Sequence, residues 1–141
     1  MIGDISLARV AIAGAAGALA MAVASYVFNA MGIPMVDFGR LIATKILRYH
    51  SHRTRLGLAL HLLNGVILAL IYALFIVNVL PGAYWVRGLI YGTGLWLLMM
   101  VVVLPLIGDG FFGWRTSRSM IPSALAVHLL YGIILGFAVR V

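Results

Sequence analysis

The chain has 141 residues, of which 65% are hydrophobic and only 9% charged, and its mean hydropathy is +1.15. Water-soluble domains run near one-quarter charged, so composition alone excludes a soluble globule and, with it, a nucleic-acid-binding role. The formal charge of +7 comes from ten basic residues against three acidic ones, Asp4, Asp37 and Asp109. With no glutamate and only three aspartates most paired-carboxylate chemistry is out of reach, and with no cysteine disulfides and thiolate metal sites are excluded.

Charges are so sparse that membrane spans can be read between them. Uncharged runs extend over 27 residues from Val10 to Val36, 31 from Leu56 to Val86, 21 from Gly88 to Gly108 and 21 from Ser119 to Val139. About 20 apolar residues in a helix cross a ~30 Å hydrocarbon layer, and the runs lack the alternation of barrel strands. Four transmembrane helices are therefore expected near 7–31, 55–80, 85–107 and 120–139. Ala20 to Ser25 resembles a signal-peptidase site, but Asp4 offsets Arg9 in its leader, and the segment is read as a span.

The first loop, from Gly32 to Arg55, is too long for a simple hairpin. Asp37 is placed to cap an amphipathic helix with Phe38, Leu41, Ile42, Ile46 and Tyr49 on one face. Such a helix would lie in the interface, with Arg40, Lys45, Arg48, Arg53 and Arg55 against anionic lipid headgroups. The loop after the third span adds Arg115 and Arg118, whereas the opposite side carries only Arg9, Arg87 and Arg140. That asymmetry puts both basic loops in the cytoplasm and both termini outside. Tyr84 and Trp85 on one side, and Phe111, Phe112 and Trp114 on the other, suit aromatic belts.

The chain also repeats itself. Leu58 to Ala69 (LALHLLNGVILA) and Leu125 to Gly136 (LAVHLLYGIILG) are identical at eight of twelve positions. The preceding spans end comparably, at Gly32 and at Gly108. The expected fold is an all-α four-helix membrane bundle of two parallel helical-hairpin repeats, about 7–80 and 85–141, related by an axis along the membrane normal. Small residues at Gly14, Ala18 and Ala22, at Gly88 and Gly92, and at Gly132 and Gly136 predict close helix seams.

Equivalent positions of the two repeats carry His61 and His128, each about six residues, or roughly 9 Å, inside the basic-loop boundary. A histidine inside a span is a functional-site hypothesis by default. Gly65 and Gly132, one turn on, would leave room for a flat ligand such as haem b, with Arg55 and Arg118 placed for its propionates. A quinone or a metal is a further candidate. The competing reading is structural: His61 with Asn64, and His128 with Tyr131, share faces and could hydrogen-bond across the bundle. His50 and His52, two residues apart, face away from each other on a helix and make a poor metal site.

The run from Leu95 to Gly113, followed by Ala126 to Gly136, resembles a bacterial family of small four-helix inner-membrane proteins of unknown function. The resemblance is best over the third and fourth spans and implies a bacterial cytoplasmic-membrane location without supplying any catalytic residue. Three functions are expected in order: a non-enzymatic subunit packing with a larger membrane complex or with itself; a b-type haem protein or electron-transfer anchor through His61 and His128; and a small-molecule carrier using a cavity between the halves.

Overall fold

The computed structural model describes residues 6–33, 35, 53–115 and 117–140, and these residues are helical almost throughout. Helix α1 runs Leu7–Ala30, α2 Arg53–Ile71, α3 Tyr84–Leu98 and α4 Met120–Ala138. A π-helical turn, Tyr72–Ile76, extends α2; another, Met99–Val103, followed by Leu104–Leu106, extends α3. All four helices are long and apolar enough to cross a membrane, which makes this a multi-pass membrane protein. The four expected spans agree with these bounds to within a few residues. The expected interfacial helix, with Arg40, Lys45 and Arg48, lies outside the described residues.

Helix ends follow local chemistry. Ser6 caps α1, its hydroxyl accepting from the Arg9 amide at 3.4 Å. At the other end Gly32 takes φ +80°, its amide meets Asn29 O, and the Ile33 amide meets Phe28 O. The end of the third span repeats this: Gly108 has φ +91°, with Gly108 N on Pro105 O and Asp109 N on Leu104 O. Both are Schellman endings, which need a residue that tolerates a left-handed backbone. Pro105 has no amide hydrogen for the carbonyl four residues back, and the ladder changes to its π-helical turn just before it.

α1 packs along α2, α3 along α4, and α1 also lies against α4, whereas the α2 and α3 backbones stay apart. Both hairpins close at glycine. A side chain on Gly65 would meet the Ala18 methyl and Gly14 carbonyl oxygen, and one on Gly14 would meet Gly65 O and Ala69. In the second hairpin a side chain on Gly132 would overlap Gly88 O and Gly92, and one on Gly88 would overlap Gly132 O and Gly136. Small side chains let backbones touch in this way, and backbone contact is the main attraction available between helices in lipid.

The buried side chains form two clusters. One gathers Val10, Ala69, Tyr72, Tyr91, Tyr131 and Leu135 from all four helices, and the other joins Met100, Leu104, Met120 and Ala124 of the second hairpin.

Gly132→Val should lower the unfolding free energy in detergent by about 1–3 kcal/mol, the usual cost of overpacking. Gly94→Ala, at a glycine with open space around it, should be neutral or stabilising by up to about 1 kcal/mol through helix propensity. Thermal unfolding of the two purified variants beside the parent checks both.

Candidate functional site: an intramembrane cavity beneath two tyrosine ties

Each tyrosine in the middle of the second hairpin reaches a carbonyl of α2. Tyr131, on α4, lays its ring in the notch left by Gly17 of α1 and donates its hydroxyl to Gly65 O at 2.5 Å. Tyr91, on α3, donates to Leu68 O at 2.8 Å and stacks against Tyr72, with ring centroids 4.9 Å apart. An aromatic ring with one polar end suits this position, since it fills apolar volume while its hydroxyl finds a partner. The ties close the half of the bundle nearer the termini. The other half, toward the basic loops, has no such closure.

A cavity of about 610 Å³ occupies that open half. The four helices contribute their loop-proximal parts: Ala18 to Asn29 of α1, Gly57 to Leu68 of α2, Leu95 to Val103 of the α3 span, and Met120 to Tyr131 of α4. Leucine, methionine, valine and alanine dominate the wall, with His61, Asn64, His128 and Tyr131 as convergent polar groups. Exposed residues stand on its rim, among them Tyr26, Leu58 and Leu98, so the cavity is reached from outside the bundle. An apolar pocket with a few placed polar groups has the general form of a small-molecule site.

The two histidines line one cavity, and each has a ring nitrogen on a backbone carbonyl. His61 Nε2 lies 3.0 Å from Ala18 O, bridging α2 to α1, and His128 Nδ1 lies 2.7 Å from Ala124 O in its own helix. A carbonyl only accepts, so each of those nitrogens carries the hydrogen. His61, His128 and Tyr131 each bond to a backbone carbonyl, and the His61 and Tyr131 bonds run between helices. Among the described residues no hydrogen bond engages His128 Nε2, whereas His61 has Nε2 committed to α1. An axial pair bound through both Nε2 atoms would require the Ala18 bond to break.

Gly65 lines the cavity, but its bare face, like that of Gly132, is taken up by the neighbouring helix. The space expected beside these glycines for a flat ligand is therefore filled by the α1 and α3 backbones. Arg55 and Arg118 are exposed and stand outside the cavity lining, and Arg53 opens α2. Arg115 is also exposed and donates to Gly108 O at 3.1 Å. Among the described residues no three His, Cys, Asp or Glu side chains gather as a metal site. Sequence reasoning missed Tyr91 and the contribution of Met99 and Val103. A tyrosine in mid-span was the one available signal, because a buried tyrosine hydroxyl usually finds a partner.

Fold and cavity together define a small multi-pass helical membrane protein with a cavity in one half of its bundle. The chain belongs to a family of unknown function, DUF6789, whose model matches residues 6–141. No curated protein and no solved structure matches it.

Tyr131→Phe removes one interhelical hydrogen bond and should cost about 0.6 kcal/mol, at most about 1.7. Tyr131→Ala also empties the Gly17 notch and should cost about 3–5 kcal/mol. Comparing the two unfolding midpoints separates the hydroxyl's contribution from that of the ring.

Proposed function

We propose that the protein binds a small, mainly apolar molecule with one hydrogen-bonding end, inside the membrane half that adjoins its basic loops. The observation that carries this reading is the cavity, apolar in its walls and holding His61, Asn64, His128 and Tyr131. Polar side chains in hydrocarbon are costly and are kept where they pair or meet a ligand. In this reading the chain sits in the bacterial cytoplasmic membrane, with the segments around Arg40–Arg55 and Arg115–Arg118 on the cytoplasmic side and both termini outside.

The proposal includes the two-repeat architecture. Gly14, Ala18, Gly65 and His61 of one hairpin correspond to Gly88, Gly92, Gly132 and His128 of the other, and the seam contacts and Schellman endings run in parallel. The pairing is broken where α1 meets α4 and α2 leaves α3, and the cavity occupies the resulting gap.

A second reading, a subunit that packs on a larger complex or on itself, draws support from α1. Ile12, Leu19, Val23 and Tyr26 are exposed along one face of that helix, an apolar stripe open to lipid or to another protein, and Leu19, Val23 and Tyr26 also edge the cavity. The b-type haem reading has weaker support, since only His128 offers an uncommitted Nε2.

Ala22→Trp places a bulky ring in the cavity wall. Native mass spectrometry from nanodiscs should find a bound amphiphile on the parent protein and at least tenfold less on this variant. Equal occupancy in parent and variant contradicts the cavity reading. Co-purification of a stoichiometric protein partner in mild detergent, without a bound small molecule, favours the subunit reading.

A further inference from the structure

The cavity's side chains are unequal in what they offer a ligand. Tyr131 gives its hydroxyl hydrogen to Gly65 O, His61 gives its Nε2 hydrogen to Ala18 O, and His128 gives its Nδ1 hydrogen to Ala124 O. Three groups that often act as donors have thus been turned toward the backbone. A neutral imidazole carries one hydrogen, so a ring that donates through Nδ1 presents a lone pair at Nε2. An imidazolium at His128 would call for an anion in its apolar surroundings, and no carboxylate among the described residues lines the cavity. Ser25 and Asn64 on the wall, and Tyr26 and Asn29 at its exposed rim, carry donors as well as acceptors, the Asn29 oxygen already accepting from the Met35 amide, so the preference is set at His128.

A ligand group that reaches His128 must therefore bring its own hydrogen. We infer that the cavity selects a lipophilic molecule with a hydroxyl head, a long-chain alcohol or a hydroquinone, which donates its O–H to His128 Nε2. The matching ether, ketone or quinone would set its lone pairs against another lone pair, and a bare carboxylate would add an unpaired charge. The apolar wall takes the remainder of the molecule. The exposed rim at Leu58 and Leu98 gives a route from the lipid phase.

This inference rests on the cavity reading, and paired probes test the two separately. Protein in lipid nanodiscs is titrated with a long-chain alcohol and its methyl ether, and with an alkyl hydroquinone and its dimethyl ether. Bound copies are counted by native mass spectrometry. One hydroxyl probe should bind at least tenfold tighter than its ether, and which pair shows the difference identifies the ligand's source. In His128→Phe the ratio should fall to near one. Saturable binding with no hydroxyl preference, or a preference unchanged in His128→Phe, overturns the inference while leaving the cavity reading intact. No saturable binding by any probe, ethers included, overturns both. Should His128→Phe fail to fold, ¹⁵N spectra of the parent protein's histidine rings decide. Hydrogen on Nδ1 of His128 supports the assignment, and hydrogen on Nε2 overturns it.

Discussion

Backbone contact at glycine is the constraint on which the rest of this molecule depends. Between helices in lipid there is no hydrophobic driving force, because lipid tails are as apolar as leucine, so association relies on close packing and on interhelical hydrogen bonds. Gly14 against Gly65, and Gly88 against Gly132, bring two pairs of helices into touch. These two seams set the faces on which everything else is arranged. Once α2 commits its Gly65 face to α1, and α4 commits its Gly132 face to α3, the remaining faces meet only through longer side chains.

Those side chains are unevenly distributed along the membrane normal. Tyr72, Tyr91 and Tyr131 fill the half nearer the termini, and Tyr91 and Tyr131 fasten the second hairpin to the Leu68 and Gly65 carbonyls of α2. In the other half the corresponding space is edged by alanine, methionine and the two imidazoles, and it stays open. The cavity follows from a seam that holds the helices together and a tyrosine layer that closes only one end. Its polarity has the same origin, because the hydrogen bonds of His61 Nε2, His128 Nδ1 and the Tyr131 hydroxyl run to the backbone of α1, α4 and α2.

Much of the fold was legible in the sequence because charge and length dominate in lipid. The spacing from Arg9 to Asp37 and from Arg55 to Arg87 set the first two spans, and the small residues at 14, 18, 88, 92 and 132 marked the seams. The two histidines singled out in the sequence both line the cavity. The use of Gly65, and the choice between the two uses open to Gly132, were not legible, since a glycine beside a histidine looks the same whether a ligand or a neighbouring backbone fills its open side. The direction of each imidazole's hydrogen was equally hidden, because it depends on carbonyls such as Ala18 O, 43 residues away along the chain. The separation of α2 from α3 was also beyond reach, for a repeat suggests equal interfaces and gives no sign of which one opens.

An experimental structure of the protein in a lipid environment tests the central claim most directly. The account predicts backbone contact at both glycine seams, α2 joined to α3 through Tyr72 and Tyr91, and elongated density in the loop-proximal half ending at His128. A map with α2 and α3 packed along their full length, and no space between His61 and His128, would contradict it.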